Sequence, residues 1–325
     1  MESCSCKRSF ISESDYFRNT TNWRQLASGD LEFECNCGAL GRLVKGQHHF
    51  FSDVKTLYSE DASVLNFLSL KEKFPYNPEP ILRMQKELSS KNCDIALLAN
   101  LLESAPLLWA QIYQKAAKNN AAKIESTKDL LESFTKKTLR NMIDMAAIRA
   151  YVPDPSIYRA KDFFASGKAT SEIAKHLAKE YAPHLDLYQL ALASHLLHLG
   201  KLVTLTTMPK VMEKISLFVL DAIFPVTWSQ AQERLHLPSH EVLGQIAAAI
   251  WGMPDFVKDA INSQSKIEKK GPITLGEASG LASQIYLRLS YEDNLIDEYY
   301  LEKVLGRFKI DFGKLENLIT QLEAA

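Results

Sequence analysis

The stretch DLYQLALASHLLHLGKLVTL, residues Asp186 to Leu205, decides what kind of fold this chain has. It is apolar on nearly every side of a helix, and helices of that kind lie in the centre of a protein. His195 and His198 interrupt it three residues apart, so on one continuous helix they share a face. Gly200 is the predicted end of that helix, because glycine is favoured just past a helix C-terminus. The sequence therefore predicts a mainly α protein built around a buried helix that carries two histidines.

Helical periodicity continues on both sides of this stretch, from about Asp61 to the end of the chain. Ser59 is the predicted N-cap of the first helix. Pro106 is predicted to divide the run DIALLANLLESAPLLWAQIYQKAAKNN into two helices, because proline is tolerated at a helix start. Before Asp61, the runs LEFEC, GRLVKG and HHFF have strand-like composition and are separated by glycines. A small β-containing segment followed by a large helical domain is the expected organisation.

The composition argues against some classes of function. The 325 residues include 38 basic and 39 acidic side chains, for a formal net charge of −1. Balanced charge does not favour general binding to nucleic acid or to an anionic membrane surface. The most apolar stretch contains polar residues that are costly in a bilayer, and the N-terminus MESCSCKRSF lacks the apolar run of a secretory signal. We therefore expect a cytoplasmic protein with no membrane partner, whose thiols are free or metal-bound.

Four of the five cysteines form two C-x-C pairs near the N-terminus, Cys4 with Cys6 and Cys35 with Cys37. Gly38 follows the second pair and can adopt the positive φ that a tight turn aiming two thiolates at one ion requires. Two such turns predict a tetrahedral Cys4 site for a structural zinc ion, which can stabilise a segment too small to have its own core. The arrangement resembles a zinc ribbon with shortened knuckles. The alternative is that these cysteines are free surface thiols.

The histidine stretch resembles the LLHDIG motif of HD-type phosphohydrolases, in which an adjacent His-Asp pair helps to hold a divalent ion that activates water. Aligned on Gly200, this chain has Leu197 in the place of that histidine and His198 in the place of the aspartate. Aligned on His198, the aspartate is deleted. Neither alignment leaves a His-Asp pair, so the resemblance implies a relative of these hydrolases without the full metal set.

The stretch ERLHLPSHEVLGQIAAAIWGMPDFVKDAINSQ, residues 233–264, resembles the HDOD family more specifically. That family has a Glu, a His seven residues later, a Gly and a W-x-x-P motif before an Ala-Ile pair, which histidines usually follow. The residues that fall on this pattern are Glu233, His240, Gly244, Trp251, Pro254, Ala260 and Ile261. Ser263 and Gln264 stand in the terminal histidine places, and Ala165 stands where an earlier histidine can occur. The resemblance covers about residues 76–265.

This resemblance implies an all-α, HDOD/HD-like multi-helix domain that acts in bacterial signalling or regulation through contacts rather than turnover. The expected organisation is a zinc-ribbon-like module at residues 1–58, an HDOD-like domain at 59–272, and C-terminal helices at 273–325 that pack on it. A protein is the expected partner and structural zinc the expected metal. No organic cofactor and no nucleic acid are expected.

Two other functions remain open at this stage. A metal-dependent phosphohydrolase acting on a nucleotide or cyclic dinucleotide would need a rebuilt site, for which the degenerate HD-site positions offer His195, His198, Glu233 and His240. A histidine pair also needs a third strong ligand, so we favour buried polar contacts for the two helix histidines. Glu233 and His240 are predicted to face each other and tie two helices together. Nucleic-acid binding through the zinc module is the other alternative, and the neutral net charge argues against it.

Overall fold

The computed structural model describes residues 20–25, 31–35, 40–44, 47–48, 76, 78–90, 92–118, 124–149, 160–220, 226–235, 239–267, 270–290 and 295–323. Helices occupy most of them. In chain order they are α1 (Pro78–Ser89), α2 (Ile95–Glu103), α3 (Pro106–Lys118), α4 (Thr127–Glu132), α5 (Lys136–Arg149), α6 (Ala160–Tyr181), α7 (Leu187–His195), α8 (Leu199–Thr207), α9 (Pro209–Leu220), α10 (Trp228–Arg234), α11 (His240–Ile250), α12 (Asp255–Ser263), α13 (Leu275–Leu289), α14 (Glu298–Phe308) and α15 (Phe312–Glu323). The mainly α fold predicted from the sequence is confirmed.

Among the described residues, four short strands precede the helices and pair antiparallel in the order β1-β2-β3-β4. They are β1 (Thr20–Gln25), β2 (Leu31–Cys35), β3 (Leu40–Val44) and β4 (Gln47–His48). Cys35 is the last residue of β2 and lies opposite Thr20 of β1. The other three predicted zinc ligands, Cys4, Cys6 and Cys37, lie outside the described residues, as does the helix predicted to begin at Ser59. The zinc module therefore stays a prediction.

Local sequence signals explain where several helices begin. The Asp94 carboxylate accepts hydrogen bonds from the backbone N–H groups of Ala96 and Leu97, which caps α2. Asp186 caps α7 in the same way. The α2–α3 pair divides immediately before Pro106, as predicted. These side chains bond backbone donors that have no partner within the helix, so each start is determined by a few adjacent residues.

The buried stretch from Asp186 to Leu205 forms two helices, so the prediction of a single helix is wrong. A turn over residues 196–198 separates α7 from α8. Gly200 is the second residue of α8 rather than a C-cap, and its role is in packing. A Cβ built on Gly200 would lie 1.7 Å from the carbonyl oxygen of His240 on α11. The missing side chain therefore allows α8 and α11 to pack in main-chain contact.

Buried apolar residues form two clusters. The larger one joins residues of α1 to α12, and the smaller one lies between α6, the start of α7 and the helices that follow α12. Ile173 and Leu177 on α6 meet Leu281 on α13 in the smaller cluster. Within the described residues no single helix is long and apolar enough to cross a membrane. The α2–α3 pair passes that test of length and composition only when taken together, across a bend of 114°.

Candidate functional site

A polar cavity of about 90 Å³ lies beside the first turn of α8. Its lining comes from five helices and the turn before α8, and includes His198, Lys201, Trp228, His240, Ser283 and Tyr300. We call it the His198–His240 cavity. It contains two of the four degenerate HD-site positions named from the sequence, together with Gln264, which stands in a terminal histidine place of the HDOD pattern.

Three glycines bring the helices around this cavity close together. Gly200 on α8 and Gly244 on α11 face each other, since a Cβ on Gly244 would lie 3.1 Å from the backbone nitrogen of Gly200. A Cβ on Gly280 of α13 would lie 2.2 Å from both the Gln264 carbonyl oxygen and the Tyr300 hydroxyl oxygen. Larger residues at these positions would separate the helices, so the glycines determine how closely the polar side chains converge.

The two imidazoles lie next to each other and each has a defined partner. Their ring centroids are 5.9 Å apart at an angle of 54°. A hydrogen bond of 2.8 Å joins His198 Nε2 to the Ser283 hydroxyl on α13. The Gln232 side-chain oxygen accepts both the His240 backbone N–H at 3.0 Å and the His240 ring Nδ1–H at 2.9 Å. Because an amide oxygen can only accept, Nδ1 of His240 carries the proton and Nε2 is left with a lone pair.

Burial makes both imidazoles neutral near pH 7. It lowers the pKa of His240 to about 4. Burial also lowers the pKa of His198 well below its usual value, and the positive charge of Lys201 adds to the effect. The Lys201 ammonium itself lies 5.0 Å from the centre of the Trp228 ring, in cation–π range. The cavity therefore holds two neutral imidazoles and the Lys201 ammonium, and its lining also includes the acidic side chains of Glu241 and Asp297. One carboxylate oxygen of Glu241 lies 3.7 Å from Nε2 of His240.

The residues of this cavity do not fit the divalent ion of HD hydrolases. Catalytic metal sites use about three protein ligands and leave one position for water. In the part of the chain that the structure describes, no three His, Cys, Asp or Glu side chains are placed to hold a metal ion. The Lys201 ammonium also opposes a second cation in the same small space. The His198–His240 cavity therefore lacks the ligand set of such a metal site.

The other two degenerate HD-site positions lie elsewhere. Because α7 ends at His195, this ring does not share a face with His198, and that prediction is wrong. His195 lines a different cavity, where its ring hydrogen-bonds the Phe164 backbone and burial lowers its pKa to about 4. Glu233 is exposed on α10. The predicted pairing of Glu233 with His240 is also wrong, since the neighbouring Gln232 makes the hydrogen bonds to His240.

Several residues of the site were not predicted from the sequence, among them Gln232, Ser283 and Tyr300. Gln232 precedes a position of the HDOD pattern by one residue, and the buried face of α10 was the only signal that could have singled it out. Ser283 and Tyr300 belong to helices beyond the stretch that carries the resemblance. Ser283 is 85 positions from its partner His198, so no local pattern links the two.

The sequence matches the HDOD domain family over residues 74–267, which is more than half of the chain. The chain belongs to the HDOD domain family. The family assignment made from the Glu233 to Ile261 pattern is confirmed. No curated protein sequence matches this HDOD protein.

The solved structures to which this chain is similar differ in what they are called. The MmoQ response regulator from Methylococcus capsulatus is 16% identical over 76% of this chain and 98% of its own, with a TM-score of 0.53. An HDOD domain protein from Geobacter sulfurreducens is 22% identical over 84% of this chain and 95% of its own, with a TM-score of 0.44. A protein from Shewanella amazonensis, provisionally named a phosphohydrolase, is 18% identical over 79% of this chain and 93% of its own, with a TM-score of 0.44. At such identities the likeness to MmoQ shows the fold alone.

Proposed function

We propose that this HDOD protein is a non-catalytic bacterial signalling or regulatory protein that acts through protein–protein contacts of its helical domain. The observation that carries the proposal is the chemistry of the His198–His240 cavity. Where HD hydrolases hold a metal-bound water, this chain has two neutral imidazoles, the Lys201 ammonium and the Glu241 carboxylate.

The hydrogen bonds of the imidazoles support a structural role for them. His198 ties the turn before α8 to α13 through Ser283, and His240 ties α11 to α10 through Gln232. Hydrogen bonds between helices favour one arrangement of helices over others, although Nδ1 of His198 is buried with no hydrogen-bond partner among the described residues. The site has therefore become part of what holds the domain in one shape, which suits a protein that presents a fixed surface to a partner.

The size of the cavity also disfavours turnover of a nucleotide. Pockets that hold drug-sized ligands measure about 300–1,000 Å³, and this one measures about 90 Å³. A nucleotide or cyclic dinucleotide would have to separate α8, α11 and α13. Helices α8 and α11 pack in main-chain contact through Gly200 and Gly244, and α13 packs closely on Gln264 and Tyr300 through Gly280.

The first test is a hydrolase assay on the full chain. Phosphate or nitrophenol release would be measured with Mn²⁺, Fe²⁺, Zn²⁺ or Mg²⁺ added, on nitrophenyl phosphate mono- and diesters, nucleoside triphosphates and cyclic dinucleotides. The expected rate equals that of the His240→Ala variant in every case. Turnover that disappears in His240→Ala but persists in His176→Ala, a histidine of α6 that does not line the cavity, would overturn the proposal in favour of the hydrolase.

The second test maps the partner. A photoreactive amino acid would replace, one at a time, the large exposed apolar residues of the described helices, Leu82, Met145, Leu217 and Tyr299. Crosslinking in cells followed by mass spectrometry should then identify one protein attached from neighbouring positions and not from distant ones. Crosslinks spread evenly over all four positions, to many abundant proteins, would contradict a specific contact surface.

The proposal extends to the N-terminal segment. A structural zinc ion held by Cys4, Cys6, Cys35 and Cys37 would brace this segment, and the reducing cytoplasm suits such a thiolate site. A zinc module of this kind would bind a second partner or support the contact made by the helical domain.

A further inference from the structure

A second cavity, of about 370 Å³, lies between α2, α3, α6 and α7. Its lining includes Trp109 on α3, Lys168 and Ser171 on α6, and Tyr188 and His195 on α7. We call it the His195 cavity. Its volume falls within the range of about 300–1,000 Å³ that is typical of small-molecule sites, whereas that of the His198–His240 cavity does not.

Buried polar side chains converge on the His195 cavity. Thr127, Ser171 and His195 line it and are each less than 5% exposed. Within the described residues, Nε2 of His195 is buried and has no hydrogen-bond partner. Burying a polar atom without a partner is unfavourable, so a ligand that supplies the missing hydrogen bond would be favoured at this position.

The missing partner of His195 is a donor. The ring's hydrogen bond to the backbone of Phe164 stabilises the protonated ring, as a bond from a ring N–H to a carbonyl oxygen does. Since Nε2 makes no bond, that N–H is on Nδ1, and Nε2 of the neutral ring is an acceptor. A ligand in contact with it would present an N–H or O–H group.

Charges of opposite sign reach the cavity from different helices. Glu103 at the end of α2 lines it, with one carboxylate oxygen accepting the Thr127 hydroxyl at 2.6 Å. Lys168 lines it from α6 and has no ion pair among the residues that the structure describes. The second lysine of that wall, Lys175, is already paired with Glu172 on its own helix at 2.8 Å. Glu125 and Glu172 also line the cavity, and Glu172 is the partner of Lys175. The cavity therefore offers the Glu103 carboxylate on one wall and the Lys168 ammonium on another.

An apolar surface completes the site. The rings of Trp109 and Tyr188 are 5.3 Å apart in an edge-to-face arrangement, and the Trp109 indole N–H donates to the Tyr188 hydroxyl. That bond orients both rings, so the aromatic wall is preformed and a ligand need not order it.

We propose that the His195 cavity binds a small zwitterion of the size of a free amino acid or dipeptide. Its carboxylate would lie at Lys168, its ammonium at Glu103, and an N–H or O–H group at Nε2 of His195. Such a ligand would touch α2, α3, α6 and α7 together, so binding would stabilise their packing. This site goes beyond the proposed protein–protein function and does not depend on it.

The test uses the full chain with free amino acids and dipeptides as probes. Thermal shift would screen them, and calorimetry would measure the affinity of those that raise the melting temperature. Each hit would then be compared with its N-acetyl and its C-terminal amide derivative, which remove one charge each. The expected result is that both derivatives bind at least about tenfold more weakly, a difference of about 1.4 kcal/mol.

Three variants locate the binding. Lys168→Met and Glu103→Gln should each weaken it at least about tenfold, and glutamine can still accept the Thr127 hydroxyl, so the fold is preserved. Lys179→Met, an exposed change on α6 outside the cavity, should bind as the wild type does. The proposal is overturned if no probe binds at millimolar concentration, or if Lys168→Met and Glu103→Gln bind with unchanged affinity.

Discussion

Replacing Gly200 with alanine should destabilise the helical domain strongly. The added Cβ would stand 1.7 Å from the carbonyl oxygen of His240, 2.5 Å from its carbonyl carbon and 2.8 Å from the backbone nitrogen of Gly244. All three are main-chain atoms, so no change of rotamer can relieve the contact. To reach the 3.0 Å below which real Cβ atoms are not found, α8 and α11 must separate by about 1.3 Å, the difference between 3.0 and 1.7 Å.

That separation loses packing on both sides of the contact and moves His240 relative to Gln232. Overpacked cores cost about 1–3 kcal/mol and occasionally more, and a clash with rigid backbone belongs at the upper end. For a domain of this size, about 3 kcal/mol corresponds to a melting temperature lower by roughly 6–12 °C. Scanning calorimetry and urea unfolding followed by far-UV circular dichroism would measure both quantities.

Two matched substitutions test the reasoning. Gly306→Ala lies within α14, where no described atom of another element stands within 4 Å of the added Cβ. It should leave stability unchanged or raise it by up to about 1 kcal/mol, since alanine favours the helix. The Cβ added in Gly244→Ala would lie 3.1 Å from its nearest atoms. The stability of this variant should therefore lie between those of Gly200→Ala and Gly306→Ala. If Gly200→Ala and Gly306→Ala had the same melting temperature, the close approach of α8 and α11 would be refuted.

Three further predictions follow from other parts of the molecule. Between pH 6.5 and 4 the free energy of unfolding should fall by about 3 kcal/mol through His195 alone, because the unfolded chain takes up the His195 proton at a higher pH than the folded chain does. In urea unfolding, His195→Gln should show a shallower fall with pH than the wild type. Parallel curves for the two proteins would contradict this. Arg307→Met should lower the free energy of unfolding by about 3–5 kcal/mol in the same assay, because it removes the guanidinium that lies 3.0 Å from the buried carboxylate of Glu277. A decrease below about 1 kcal/mol would mean that this ion pair contributes as little as an exposed one. Elemental analysis should find zinc in the wild type and none in the Cys35→Ser/Cys37→Ser variant, and zinc that survives in the variant would place the ion elsewhere.

The fold class and the family could both be predicted from the amino-acid sequence. Helical periodicity, Pro106 and caps such as Asp94 are local features, because a helix start depends on the few residues that bond its free backbone groups. The HDOD pattern around His240 is similarly compact in sequence. It includes Gly244, for which the structure supplies the reason: this glycine faces Gly200 across the α8–α11 contact.

The chemistry of the site depends on how distant helices pack, which the sequence does not record. The sequence placed His195 and His198 on one face, and the break at residues 196–198 sends them to separate cavities. It paired His240 with Glu233, whereas the packing of α10 against α11 presents Gln232. His198 meets Ser283 from a helix 85 positions away. A buried polar atom forms hydrogen bonds with the groups that tertiary packing places beside it, and these often come from helices distant in sequence. That packing depends on close contacts such as the one at Gly200, which no local sequence pattern records.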